Sequence, residues 1–271
     1  MMILSALGVI RRNRELTWTL VKRDIQARYK GSWMGSLWSI ANPIIMLCIY
    51  TFVFSSVFDA RWGPSDTAGG QNATAFAINL FAGLIVFNMF AECASKSPSL
   101  IVNNANYVKK VIFPIEILST VTIASALYHA LIGLAILVIG KLIVNHSIES
   151  TVVYLPLIWL PYLGGLVGFS WLISAAGVFI RDIGQIINSF ISIMMFMSPI
   201  FYPSSAVPTE LAWVTKLNPI GYVIEATRGV LIEGVPPKAR VVLVYWICMI
   251  LLCEISYRYL KRNQRKFGDL L

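Results

Sequence analysis

Six stretches of this chain, residues 40–58, 75–94, 117–140, 152–180, 183–201 and 241–259, run almost without charge. A helix needs about 20 mostly apolar residues to cross the hydrocarbon core of a bilayer. Nothing else in the sequence restricts the fold as strongly. In hydrocarbon every backbone N–H and C=O must be satisfied within the segment, which makes runs of this length helices. The third and fourth runs exceed the required length, so tilt or an interfacial first turn is expected. Pro156 and Pro161 predict that residues 152–160 lie partly in the interface or that the fourth helix is kinked. Only Arg181 and Asp182 carry charge between the fourth and fifth runs, which marks a tight turn.

Composition excludes the alternatives. Apolar residues make up 57% of the 271-residue chain and charged residues 13%, with a mean hydropathy of +0.72. A water-soluble fold, disorder and coiled coil are all incompatible with that balance. The net charge of +9 would suit nucleic acid, but the basic residues sit at the edges of apolar runs, where they hold loops on the cytoplasmic side. Sixteen lysine and arginine residues fall on one side of a six-span arrangement and six on the other. Both termini are therefore expected in the cytoplasm. Residues 1–10 are mildly apolar, but Arg11, Arg12 and Arg14 follow them, the reverse of a secretory signal. Cys48, Cys93, Cys248 and Cys253 all lie in or at the end of apolar runs and read as small buried side chains, without metal-like spacing.

Two segments are neither spans nor simple loops. In residues 15–39, Trp18, Val21, Ile25 and Tyr29 recur at helical spacing, with Lys22, Arg23, Gln26 and Lys30 opposite. Such a helix lies in the headgroup plane, and Trp33 and Trp38 fit the aromatic belt before the first span. It reads as a juxtamembrane anchor or as a gate that docks a cytoplasmic partner. Residues 202–240 are too apolar for an ordinary external loop and are broken by Pro203, Pro208, Asn218-Pro219 and Pro236-Pro237. Two short helices that dip in and return would fit, at the outer mouth of a pathway where irregular backbone is tolerated. Glu225 and Arg228, three apart, pair on one helical face, as a structural ion pair or as a substrate contact.

The chain has no phosphate-cradling G-x-x-x-x-G-K-[ST] and no H-E-x-x-H. His129, mid-span, reads as a helix–helix hydrogen-bonding residue or a proton relay. Glu92, Glu116 and Glu254 stand at span ends, where pairing with a nearby base is expected. Gly164-x-x-x-Gly168 allows close helix contact, and Gly31-x-x-x-Gly35 reads as a loosened turn. Tyr50, Phe54 and Phe58 on the first span, and Phe190, Met194, Met197 and Phe201 on the fifth, recur at near-helical steps. They face lipid and neighbouring helices or line a path in which rings stack on sugar faces without fixing a register, as they do on bases.

Several blocks together resemble a family. They are Arg23-Asp24-Ile25 with Arg28-Tyr29-Lys30-Gly31-Ser32, Gly35, Leu37-Trp38 and Asn42-Pro43; Asn103-Asn104-Ala105-Asn106-Tyr107-Val108-Lys109-Lys110-Val111-Ile112-Phe113-Pro114-Ile115-Glu116; Phe179-Ile180-Arg181-Asp182-Ile183-Gly184-Gln185; and Ser198-Pro199-Ile200-Phe201-Tyr202-Pro203 with Val207-Pro208, Asn218-Pro219 and Glu225-Ala226-Thr227-Arg228. In this order they resemble the permeases of polysaccharide-exporting ABC transporters, above all those of O-antigen export. Teichoic-acid permeases are close relatives and capsular-polysaccharide permeases more distant ones.

The resemblance implies an all-α integral membrane protein: one permease domain over residues 1–271, with six spans, an interfacial amphipathic helix at 15–39, a cytoplasmic coupling loop at 96–114 and a periplasmic re-entrant segment at 202–240. It implies a homodimer in the bacterial inner membrane with two ATPase subunits on its cytoplasmic face. ATP and magnesium would be bound by those subunits, with no cofactor on this chain and no catalysis by it. The substrate would be polysaccharide on undecaprenyl pyrophosphate, moved to the periplasmic side. Under this resemblance Tyr50, Phe54, Phe58, Phe201 and Tyr202 line the channel. Asn103, Asn106, Tyr107, Val108, Lys109 and Lys110 couple to the ATPase, and Arg23, Asp24, Arg28, Tyr29, Lys30 and Trp38 belong to the gate or interfacial helix. A membrane transferase acting on lipid-linked sugars is the rival from another class. It would need clustered acid, base or metal-binding residues, whereas the acids here are spread over different helix ends.

Overall fold

The computed structural model describes residues 8–53, 71–108 and 113–270. All regular structure among them is helical. In chain order the helices are α1 (Arg14–Tyr29), α2 (Trp38–Phe52), α3 (Gln71–Lys96), α4 (Ala105–Val108), α5 (Glu116–Asn145), α6 (Leu155–Phe179), α7 (Ile183–Met197), α8 (Ala212–Leu217), α9 (Pro219–Arg228) and α10 (Ala239–Leu270). Five regions are long and apolar enough to cross a membrane: Gly35–Phe52, Ala75–Ser99, Glu116–Ile143, Ser150–Phe179 and Ala239–Phe267. The fifth expected run forms a helix of only 15 residues, α7. At 1.5 Å per residue that is about 22 Å, short of the roughly 30 Å hydrocarbon core. It stops where Ser198-Pro199 turns the chain out of the helix.

The core is built around α3, whose apolar window is 83% buried. Leu80, Val86 and Met89 of α3 meet Ile158 of α6, Ile200, and Val223 and Ile224 of α9. By contrast, α2 is a thinly packed outer helix that exposes Ile44, Ile45, Ile49 and Phe52. Helices in lipid gain no hydrophobic drive toward one another, so close approach depends on small residues. The pairing of α6 with α10 follows this rule. A Cβ on Gly168 would lie 3.0 Å from the Cys253 Cα, and the Cys253 thiol donates to the Gly164 carbonyl at 2.7 Å. These two helices run parallel. Trp246 near the start of α10 donates to the Leu157 carbonyl near the start of α6, while Phe267 near the end of α10 meets Phe179 at the end of α6.

The surface helix α1 packs differently from the sequence pattern. Its buried residues are Leu20 and Val21, set against Ile117 and Val121 of α5 with Ile25 beside them, while Trp18 is 60% exposed. The apolar stripe has rotated by one position because α1 rests on a neighbouring helix. The break after it falls at Gly31 and Gly35, with φ of +86° and +53°, a left-handed backbone that favours glycine.

The segment 202–240 packs deeply. The Asn218 side chain caps α9, its Oδ1 accepting from Ile220 N at 3.0 Å and Gly221 N at 3.1 Å, with Pro219 at the first helical position. Beyond α9 the chain makes a π-helical turn, Gly229–Glu233. The buried Lys141 ammonium of α5 donates to the Leu231 carbonyl at 2.8 Å, and Thr151 donates to the Val230 carbonyl at 2.7 Å.

Candidate functional site

A cavity of about 640 Å³ opens between α2, α3, α5 and α7. Its walls carry Met46 and Tyr50 from α2, Phe81, Leu84 and Ile85 from α3, Ala126 and Ala130 from α5 and Ile191 from α7. Polar groups interrupt that apolar wall on each helix: Asn42 on α2, Asn88 on α3, His129 on α5, and Asn188 with Ser192 on α7. Asn88 is exposed although the α3 residues on both sides of it, from Phe81 to Phe90, are buried. A carboxamide inside a span is costly, and by default it marks a functional surface.

The end of α1 reaches the cavity wall through Arg28 and Tyr29, beside Trp38 at the start of α2. Arg28 Nη1 reaches both carboxylate oxygens of Glu92, at 2.9 and 2.8 Å. Lys96 binds Glu92 at 3.0 Å and Asp24 at 3.4 Å. Tyr29 Oη lies 3.3 Å from His129 Nδ1, with the rings edge to face. Burial raises the Tyr29 phenol above its ordinary value, and the imidazole tautomer sets which of the two groups donates. Exposed ion pairs contribute about 0.2–1 kcal/mol each, so no single bridge seats α1. The set of pairs acts together with the Leu20–Val21 packing.

The same helix touches the loop between α3 and α5. Arg23 donates to the Tyr107 hydroxyl at 2.8 Å and lies 5.8 Å from its ring centre. Tyr107 in turn stacks on Phe113 at 4.9 Å. Asn103 and Asn106 are exposed on this loop, and α4 is its short helix. The far end of the loop is fixed by Glu116, fully buried, which pairs with Lys261 and accepts from Tyr257 at 3.4 Å. Together with Glu92, and with Glu254 bound to Arg258 at 2.9 Å, every expected acid at a span end has a basic partner.

The sequence-derived residues thus fall into separate places. Tyr50, Arg28, Tyr29 and Trp38 share the cavity, with Asp24 one contact away, Arg23 on the loop and Lys30 exposed beyond the end of α1. Phe201 and Tyr202 do not line it. They follow α7, where Phe201 faces Phe196 and the Tyr202 hydroxyl donates to the Phe196 carbonyl at 3.1 Å. Phe54, Phe58, Lys109 and Lys110 lie outside the described residues, as does the Val108 side chain. Phe190, Met194 and Met197 line a second, apolar cavity of about 310 Å³ beside Trp213 and Tyr245. Arg228 is buried and spends its donors on the protein: Asn79 O at 2.8 Å, Ile200 O at 2.8 Å, the Pro199 carbonyl, and Glu225 at 3.1 Å. Glu225 also accepts from Ser204 at 3.0 Å. Sequence reasoning missed Asn88, Asn188 and Ser192 as cavity residues. The available signal was a polar side chain inside an apolar run, recurring at four-residue steps with Glu92 and Ser192.

A helical bundle with a cavity between its apolar spans and an ion pair in the cavity wall suits a transport subunit. The profile of the ABC-2 type transporter family matches residues 15–232, and the chain belongs to that family. Among individual proteins it is 26% identical over 258 residues to the O-antigen export system permease protein RfbA of Klebsiella pneumoniae, covering 95% of each chain. It is 23% identical to the protein of the same name from Myxococcus xanthus, over 94% of this chain and 95% of that one.

Proposed function

We propose that this chain is the channel-forming subunit of an ATP-driven exporter that moves undecaprenyl-pyrophosphate-linked polysaccharide, of the O-antigen kind, from the cytoplasmic to the periplasmic side of the inner membrane. The observation that carries the reading is the near-complete coverage of O-antigen export permeases by a chain with a polar cavity inside its spans. Teichoic-acid or capsular polysaccharide is the alternative cargo.

The reading has six crossings. The parallel run of α6 and α10 supports it, because two parallel spans are joined by a chain that returns across the bilayer. α7 with residues 198–203 is the segment available, and the proline-broken stretch that follows re-enters from the periplasmic side. Both termini then lie in the cytoplasm, as the basic asymmetry requires.

The working unit is a homodimer, with the thinly packed α2 and α7 of each copy beside the shared path, and two ATPase subunits that bind ATP and magnesium. The loop at 96–114 receives their motion. Tyr107 passes it to α1 through Arg23, and α1 bears on the cavity wall through Arg28 and Tyr29. The chain makes and breaks no bond. It supplies weak, repeated contacts to a sliding polymer, with Tyr50 and Trp38 offering ring faces and the amides offering hydrogen bonds.

Deleting the gene in its native host tests the reading. Lipid-linked polysaccharide should accumulate inside the cell and vanish from the surface, and the intact gene should restore it. An unchanged surface polysaccharide would refute the proposal.

A further inference from the structure

The loop between α3 and α5 is held along its length by α6 and α10. Near its start, Gly177 of α6 lies so close to the Pro98 carbonyl that a Cβ would have no room. Ile101 and Ile115, both buried, pack with Trp171 of α6 and with Tyr257, Leu260 and Phe267 of α10. At the far end Glu116, 1% exposed, pairs with Lys261 of α10. Its Oε1 also accepts from the Tyr257 hydroxyl at 3.4 Å, and its main-chain carbonyl accepts from Trp171 Nε1 at 3.1 Å.

The two members of the ion pair are unequal. Lys261 is partly exposed, donates to Gln264 at 3.1 Å and lies 5.7 Å from the Tyr257 ring centre, so water and its own helix can satisfy it. Glu116 has no such choice. Its Oε2 has no hydrogen-bond partner among the described residues. A buried carboxylate that lost Lys261 would stand unpaired, which is strongly disfavoured. The buried acid therefore holds the start of α5 to the end of α10.

From this joint the helix pair leads to the opposite end of the bundle. Trp171 and Tyr257 stand beside Glu116 with ring centres 5.2 Å apart. Twelve residues earlier on each helix stand Trp159 and Tyr245, roughly 18 Å away at the helical rise. Trp159 Nε1 donates to Thr227 of α9 at 3.1 Å, and the Tyr245 ring lies 4.9 Å from that of Tyr222 on α9. Between the two ends, Gly168 and Cys253 lock α6 to α10. One pair of helices thus touches the loop with one end and the segment 202–240 with the other.

We propose that Glu116, through Lys261, is the positioning residue that ties the loop at 96–114 to α6 and α10, so that motion received by the loop travels along this helix pair to the segment 202–240. It is a second route beside the one through Tyr107 and α1, and it rests on the export reading above with its ATPase partner.

The test uses the full chain assembled with its ATPase in lipid nanodiscs. The exposed Cys48 and Cys248 are replaced by alanine, and Ser205→Cys, at an exposed position of the segment 202–240, is the reporter. Trapping with ATP and vanadate should change the rate of maleimide labelling at residue 205 by about tenfold, within the usual range of a coupling between sites. The pair Glu116→Gln with Lys261→Met should abolish that response while ATP hydrolysis persists. Lys261→Arg should retain it. The pair removes both charges together and leaves none buried alone, so it remains foldable where a single change is not. A response retained by the pair, a response lost in Lys261→Arg, or no response in the parent would each overturn the joint. So would failure of the pair to assemble, which would make the contact purely structural. Complementation of the gene deletion separates this failure from failure of the export reading. Normal surface polysaccharide restored by the pair would sink the joint and leave export standing, whereas surface polysaccharide unchanged by the deletion itself would sink export whatever residue 205 reports.

Discussion

Arg228 illustrates how one buried cation can fix a whole segment. Its guanidinium joins three main-chain carbonyls from α3 and the end of α7 to the carboxylate of Glu225, and glycine at 83 leaves room for it. A Cβ at Gly83 would fall 2.7 Å from Nη2. Removing the charge with Arg228→Met strands those acceptors and should destabilise the chain by about 3–5 kcal/mol, the range for breaking a buried pair. Glu225→Gln keeps an oxygen acceptor near Arg228, and Glu225 is partly exposed, so its loss should be about 1 kcal/mol or less. Thermal unfolding in detergent measures both, and equal melting of the two variants would contradict the assignment. Gly83→Ala should shift in the same direction as Arg228→Met, because it displaces the same guanidinium. The sequence placed Glu225 and Arg228 on one face, but it offered no sign of the carbonyls. Main-chain partners 28, 29 and 149 residues away leave no trace in local spacing.

At the scale of elements, the long apolar runs of α3, α5 and α6 were legible because period and length suffice to define a span. Two boundaries were not. α7 ends early because Ser198-Pro199 turns into the carbonyl cluster around Arg228. α10 continues to Leu270 because Tyr257, Leu260 and Phe267 pack under Ile101, Ile115 and Trp171, a stripe diluted among the basic residues of the tail. The cavity was half legible: Tyr50 and the Arg28–Tyr29–Trp38 group were visible as aromatic and basic patterns. The amides were hidden because one asparagine in an apolar run has no periodicity of its own. Helix contact through glycine was readable and can be graded. Gly168→Ala places a methyl 3.0 Å from Cys253 backbone, whereas at Gly164 the nearest atom is a thiol 4.0 Å away. Overpacking at Gly168 should lower stability by about 1–3 kcal/mol, and Gly164→Ala should stay within about 0.5 kcal/mol. Unfolding in an SDS titration would read the difference, and equal loss at both sites would contradict the packing. The loop element carries its own prediction. Tyr107→Asp sets a carboxylate where the ring stacks on Phe113. It should leave the assembly and basal ATP hydrolysis intact while export falls, and normal export in that variant would remove Tyr107 from the coupling route.

For the whole molecule the decisive quantity is the number of crossings, because it fixes the side on which each loop works. If α7 did not cross, the chain after α6 would begin α10 on the side where α6 ended. That would make the two helices antiparallel, yet Trp246 binds near the start of α6 and Phe267 meets its end. It would also carry the basic residues of the tail outside, away from the side that retains them. Lys261 instead pairs with Glu116, at the end of α5 that adjoins the loop after α3. The arrangement predicts opposite accessibility at two positions 60 residues apart in the chain, 205 and 265. After replacement of the native cysteines, Ser205→Cys, between α7 and α8, should react with an impermeant maleimide in intact spheroplasts. Lys261→Cys would disturb the Glu116 pair, so the tail reporter is the exposed Arg265, as Arg265→Cys, which should react only after lysis. Labelling at residue 205 together with protection at 265 requires an odd number of crossings between them, which is α10 alone, and, with a cytoplasmic amino terminus, an odd number before residue 205. The reverse pattern, with 265 labelled and 205 protected, would put the carboxyl-terminal half upside down. Labelling of both before lysis would mean that α10 does not cross at all, and the channel would have to be rebuilt from the remaining helices.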